Sequence, residues 1–184
     1  MDWVAWHADY DTDTPLRRRL EIVQGHIRAF LRACDRSPVR VVSMCAGEAR
    51  DLLGALEAVT RRDLVGRLVE LDPDLAHAAR RRCVELGLTE LEVVTGDTGD
   101  AHAYAGTIPA DLVLACGVFG NISNSDIERT VRALPSMCAP GGSAIWTRHR
   151  GEPDLTPAIR RWFVESGFAD VSFEAVPDSP GSVG

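Results

Sequence analysis

No stretch of the chain approaches the roughly 20 apolar residues that a membrane span needs. The N-terminus, Met1-Asp2-Trp3, lacks a basic segment followed by an apolar one. Both absences lead us to expect a cytoplasmic protein with no membrane partner. Positive charge is in deficit: 20 Lys plus Arg against 27 Asp plus Glu leave −7. That balance argues against a sequence-blind grip on phosphate backbones, and no nucleic-acid partner is expected. Cysteine is sparse, odd in number and without a Cys-x-x-Cys pair. Five residues, Cys34, Cys45, Cys83, Cys116 and Cys138, support neither a disulfide framework nor a zinc ribbon. They read as small buried hydrophobes. No internal repeat or low-complexity segment is present. With 184 residues and 45% apolar content, the expectation is one domain over residues 1–184.

Periodicity then gives the elements. Leu16, Leu20, Val23, Ile27 and Leu31 are spaced by four and three, marking one face of a helix. Thr14 supplies its N-cap and Pro15 its first position. Ser37-Pro38 ends that segment, and the β-branched run from Val39 to Met44 reads as a buried strand. Helix and strand then alternate: helix 50–59, strand 67–71, helix 73–86 closed by Gly87, strands 91–94 and 111–115. Helix 126–134, strand 143–147, helix 157–165 and strand 171–176 complete the series. This is the pattern of right-handed βαβ crossovers, hence an α/β class with a doubly wound, mostly parallel sheet. Residues 1–37 form a helical extension outside the alternation, and residues 38–184 form the core. Ligands belong at the carboxyl ends of the strands.

Three strand ends concentrate suitable groups. The first runs through Ser43, Cys45, Ala46 and Gly47, a small-residue turn that lets backbone approach a ligand closely. The second ends in Val69-Glu70-Leu71-Asp72, where the Asp72 carboxylate is suited to vicinal ribose hydroxyls or to capping the next helix. The third ends in Gly96-Asp97-Thr98, with a second carboxylate beside the same cleft.

These features resemble the class I S-adenosylmethionine-dependent methyltransferases from Val39 onward. The segment 41–52 is similar to their first motif, with Cys45-Ala46-Gly47-Glu48-Ala49 standing where Gly-x-Gly-x-Gly is usual and Ser43 where an acid is common. The resemblance places Asp72 at the ribose and Asp97 at the adenine amine. Ala110 to Asn121 resembles the fourth-strand motif, and Ala139-Pro140-Gly141-Gly142-Ser143 the lead into strand five. It implies a Rossmann-like α/β/α sandwich binding S-adenosylmethionine and releasing S-adenosylhomocysteine. The cofactor-binding set is Ser43, Cys45, Ala46, Gly47, Asp72, Asp97, Thr98 and Cys116. The family's last strand inserts beside the fifth, and this chain ends where that strand should start, at Ser182-Val183-Gly184. An unpaired edge there would favour a homo-oligomer.

The acceptor side is read from fewer residues. Trp6, His7 and Tyr10 form an aromatic and titratable cluster suited to a lid or to a hydrophobic anchor, and Asn121 and His149 follow strands four and five. In-line methyl transfer needs an acceptor lone pair held in a site closed to water, with a base where the acceptor carries a proton. His7 and His149 are the candidate bases, because imidazole titrates near 6.5, roughly at neutral pH. Trp6, Tyr10 and Asn121 are candidate acceptor contacts. Ser123 reads as a helix cap. No acid set suited to Mg²⁺ follows strand four, so no metal is expected. The expected function is methyl transfer to a small-molecule oxygen or nitrogen. The alternatives are a nicotinamide-dependent oxidoreductase, which would want a cleaner Gly-x-Gly-x-x-Gly, and a non-catalytic module that binds the same cofactor.

Overall fold

The computed structural model describes residues 14–184. Helix α1 (Pro15–Ala33) starts where the Thr14 hydroxyl accepts from Arg17 N at 3.2 Å. It buries Val23, Ile27 and Leu31, each worth about 1.5–3 kcal/mol on leaving water. Then follow β1 (Val39–Met44), α2 (Arg50–Glu57), β2 (Leu64–Glu70), α3 (Pro73–Glu85), β3 (Leu91–Thr95) and β4 (Ala110–Ala115). The chain continues through α4 (Asn124–Met137), β5 (Cys138–His149), α5 (Thr156–Glu165), β6 (Glu174–Ala175) and β7 (Gly181–Val183). A short 3₁₀ turn covers Ala101–Tyr104.

The sheet has seven strands in the order β3-β2-β1-β4-β5-β7-β6. Strands β1 to β5 are parallel, and β7 runs antiparallel to both β5 and β6. The order reverses between β1 and β4, which opens a crevice at their carboxyl ends. Helices α1, α2 and α3 cover one face through an aliphatic core that includes Ile27, Val41, Leu52, Leu68 and Leu114. Helices α4 and α5 cover the other, where Trp146 meets Phe119, Phe163 and Phe173 at centroid distances of 6.0, 5.7 and 5.8 Å. This is the expected α/β/α sandwich.

Two differences from expectation have local causes. Strand β5 begins at Cys138, not at residue 143. Its register jumps from Ala110↔Cys138 to Leu112↔Ser143, so the Pro140-Gly141-Gly142 step bulges out of the ladder. Buried Asp111 fastens it, accepting from Arg36 Nη1 at 2.8 Å and Arg40 N at 2.9 Å, while Arg36 Nη2 donates to Pro140 O at 2.6 Å. The second difference corrects the missing last strand. The expected strand 171–176 contracts to Glu174–Ala175, and Gly181–Val183 returns to pair with Thr147–His149. Gly184 continues the contact by exchanging backbone hydrogen bonds with Trp146 at 2.9 and 3.0 Å. A Cβ at Gly184 would come within 2.6 Å of the Trp146 ring, so the approach requires glycine. Three residues containing Gly and Ser carry no apolar alternation, which is why this strand is silent in the sequence. The carboxyl end of β5 is therefore covered by β7.

No helix among the described residues is long and apolar enough to cross a membrane.

Candidate functional site at the strand ends

The turn after β1 holds three residues in left-handed conformation within five: Cys45 at φ 49°, Gly47 at 57° and Ala49 at 56°. These are the three positions that are usually glycine in the motif this segment resembles. Cys45 and Ala49 adopt the geometry at a cost of about 1–2 kcal/mol each, a strain that such turns tolerate where backbone must meet a ligand. Ala46 N donates to Val69 O at 3.0 Å and Ala49 N to Ala46 O at 2.7 Å, fixing the turn against β2.

Glu70 joins the first two strand ends. It is the last residue of β2 and only 8% exposed. Its Oε2 accepts from Gly47 N at 2.6 Å and its Oε1 from Asp72 N at 2.9 Å. Its carbonyl accepts from Gly96 N at 2.9 Å, so β3 is tied to the same residue. The sequence reading weighed Asp72 both as ribose ligand and as cap, and gave Glu70 no role. The structure gives the Asp72 carboxylate to α3, where Oδ1 accepts from Asp74 N at 2.9 Å and Leu75 N at 3.2 Å. The available signal was Pro73: a proline at the first helical position makes the residue before it the cap, and leaves the strand to end earlier.

Asp97 is exposed beyond β3, with Oδ1 accepting from Gly99 N at 2.8 Å. Thr98 Oγ1 lies 3.5 Å from Cys45 Sγ, and its carbonyl accepts from Tyr104 OH at 2.9 Å. Burial pushes the Cys45 thiol up, the Thr98 hydroxyl opposes this, and the charges of Glu70 and Asp97 add to the rise. Cys45, Glu70, Asp97 and Thr98 therefore share one rim. Ser43 does not reach it: at 1% exposure it lies inside β1, and its Oγ has no hydrogen-bond partner.

The far side of the crevice is built on β4 and β5. Gly117 N donates to Thr147 Oγ1 at 2.8 Å, and Asn121 Nδ2 donates to Gly117 O at 2.6 Å. Burial pushes the Cys116 thiol well above its ordinary value, with the Asp51 charge adding and Arg19 opposing. A raised thiol pKa disfavours the reactive thiolate. His149 is exposed, and its Nδ1 accepts from Gly151 N at 3.2 Å. In the neutral ring that bond leaves the proton on Nε2. Trp6, His7 and Tyr10 lie outside the described residues. No cluster of metal-ligating side chains occurs among the described residues. A cavity of about 560 Å³ opens between α1, α2 and α3, lined by both charge signs including Arg17, Glu21, Glu57 and Arg82. It belongs to the helical layer and reaches Glu48 in the turn after β1.

No protein-family model and no curated protein sequence matches the chain. Solved structures do. An O-methyltransferase family protein from Burkholderia thailandensis superposes with TM-score 0.67 at 18% identity, covering 89% of this chain and 53% of that one. A TehB-like SAM-dependent methyltransferase from Corynebacterium glutamicum gives TM-score 0.62 at 16% identity, covering 85% and 84%. A SAM-dependent methyltransferase from Thiobacillus denitrificans, in complex with S-adenosyl-L-homocysteine, gives 0.59 at 19%, covering 83% and 65%. The chain spans about half the length of the Burkholderia protein. Strand order, sheet polarity and these superpositions agree that the chain has the Rossmann-like fold of the class I S-adenosylmethionine-dependent methyltransferases.

Proposed function

We propose that the chain transfers a methyl group from S-adenosylmethionine to an oxygen or nitrogen of a small molecule. One observation carries this reading. A nearly buried carboxylate, Glu70, stands at the end of β2 and is held by the N–H groups of the β1 turn and of Asp72. A carboxylate has about four acceptor positions, and two are used here. The others suit the vicinal hydroxyls of a ribose.

The remaining groups fit the same cofactor. Asp97 supplies an exposed acceptor for an adenine amine, and its own Oδ1 is steadied by Gly99 N. Leu71, 69% exposed beside Glu70, offers an apolar surface to a flat ring. The Cys45–Gly47 turn brings backbone to the crevice, with Thr98 and Cys116 flanking it. When bound, S-adenosylmethionine supplies an electrophilic methyl group on a sulfonium. The chain's own contribution is to bind and orient, since in-line displacement depends on alignment and exclusion of water. Asn121 Oδ1 is left as an acceptor at the β4 end while its Nδ2 is committed to Gly117. His149 acts through an outward N–H that steadies an acceptor oxygen.

Calorimetry with S-adenosylhomocysteine and with NAD tests the cofactor. Preference for S-adenosylhomocysteine is expected, and preference for NAD overturns the reading. Incubation with labelled S-adenosylmethionine and candidate phenols, amines and carboxylic acids tests the transfer. Binding without any methylated product would leave only a cofactor-binding module.

A further inference from the structure

The end of β5 carries a polar cluster that cofactor binding does not use. Arg148 and Arg150 are two residues apart, so along an extended chain their side chains leave on the same side, the side of Trp146 and the α4 layer. Their backbones are held firmly. Arg148 pairs with Ser182 of β7, whose hydroxyl donates to Arg148 O at 2.7 Å. Arg150 N donates to Pro180 O at 2.5 Å.

Each guanidinium is only partly satisfied. Arg148 donates through Nη1 to Phe119 O, in the loop after β4. Arg150 donates through Nη2 to Ser179 O at 3.3 Å. In both, the Nε–H is buried and has no partner among the described residues. Asp154 is the carboxylate whose charge reaches both, yet its Oδ1 is taken by the N–H and hydroxyl of Thr156 at 2.8 and 2.7 Å. Two cations thus act on one carboxylate, on a chain whose net charge is −7. Burial also disfavours the charged form of Arg148, a cost that a bound anion would reverse. A buried charged donor without an acceptor is costly, and an anion held on the outer Nη groups of the same guanidinium would offset that cost. With Arg148 Nη1 given to Phe119 and Arg150 Nη2 to Ser179, Arg148 Nη2 and Arg150 Nη1 are left as the donors that can each meet an oxygen of one oxyanion.

We propose that Arg148 and Arg150 form an oxyanion site beside the ends of β4 and β5, which reads a carboxylate or phosphate group on the methyl acceptor. The link to Phe119 O places the pair at the β4 end, across the crevice from Glu70. Calling the bound molecule an acceptor rests on the methyl-transfer reading above, whereas the anion site rests on the arginines alone.

The test is a titration of the full chain, with and without S-adenosylhomocysteine, followed through the arginine Nε resonances. The probes are benzoate, phenyl phosphate and, as a neutral control, benzyl alcohol. Arg148→Gln and Arg150→Gln assign the two signals. The expected result is a saturable shift of both signals with benzoate or phenyl phosphate and none with benzyl alcohol. The tighter of the two anions identifies the group. Each Gln variant should weaken that anion roughly tenfold, as expected when a charge-assisted hydrogen bond is lost. Arg148→Lys keeps the charge without the planar fork and should recover only part. Equal shifts at Arg61 and Arg160, equal shifts with benzyl alcohol, or no saturable shift with either anion would overturn the site. If Arg148→Gln loses its near-UV dichroism, Arg150→Gln, beyond the strand, decides. Anion binding in a chain that ignores S-adenosylhomocysteine would sink the methyl-transfer reading and leave the site standing. The converse result would sink only the site.

Discussion

The two halves of the sheet are finished differently at their carboxyl ends. Across β1, β2 and β3 the loops are bound to one another through a single acid: Glu70 accepts from Gly47 and Asp72, and its carbonyl accepts from Gly96. Across β4, β5 and β7 they are bound by arginine, and Arg148 and Arg150 each keep a buried donor with no partner among the described residues. The acidic half offers acceptors to a hydroxyl-rich ligand. The cationic half offers donors to an anion. Walls of opposite chemistry would suit the two ligands of the proposed transfer. The two faces of the sheet differ as well, since aromatic rings around Trp146 of β5 fill the layer under α4 and α5 while aliphatic side chains fill the layer under α1 to α3.

The largest expected effect concerns that aromatic layer. Trp146 is 4% exposed, packs on three phenylalanine rings and exchanges both backbone hydrogen bonds with Gly184. Trp146→Ala should cost about 3–5 kcal/mol in urea unfolding, the range for large aromatic truncations in a core. A loss below about 1 kcal/mol, the scale of an ordinary surface change, would show that β5 is not held by this cluster.

Next in size is Asp51, on the aliphatic side at the start of α2. It is 9% exposed, and burial pushes its carboxyl from 3.8 up to about 6, against lowering backbone hydrogen bonds from Leu52 and its own N–H. A raised carboxyl value means that the folded state binds more protons than the unfolded one. The contribution of this group is therefore fully present below pH 3.8 and is lost as pH rises through about 6. Asp51→Asn removes the titration. Its stability relative to the parent should rise by on the order of 2–3 kcal/mol between acid and neutral pH. A difference that does not change with pH would show that Asp51 is solvated.

The architecture was legible in the sequence because it rests on long periodic signals. The α1 stripe, the β-branched run of β1, Pro73 at the first position of α3 and the Ser123 cap each appear where expected. What was not legible depends on single residues in contact. Gly184 against Trp146 makes β7, and no periodicity announces it. Glu70 was hidden because strand β2 stops one residue earlier than its apolar pattern suggests, which moved attention to the next carboxylate along. The left-handed turn was readable at Gly47 alone. Cys45 and Ala49 reach the same conformation by virtue of the packing around them. Among the acceptor-side residues, His149 and Asn121 were correctly sited at strand ends, but their hydrogen bonds to Gly151 and Gly117 could not be inferred from spacing.

Glu70 and Asp72 bring the comparison to its finest scale, within three residues of one loop. Glu70→Gln keeps the shape and most of the hydrogen bonding to Gly47, but removes the charge that would hold ribose hydroxyls. It should weaken S-adenosylhomocysteine by at least roughly tenfold, or about 1.5–3 kcal/mol. Asp72→Ala should do the opposite. Its Oδ1 caps α3 through Asp74 N and Leu75 N, so its loss should lower stability by about 0.5–2 kcal/mol, the value of an N-cap. Cofactor affinity should then stay within about threefold, a change worth under 1 kcal/mol. Asp72→Asn, which can still cap, should restore the stability and leave the affinity where it was. Were Asp72→Ala instead to cost more affinity than Glu70→Gln, with Asp72→Asn equally weak, the ribose would belong to the cap residue. The acid at the end of β2 would then be a strut between two turns.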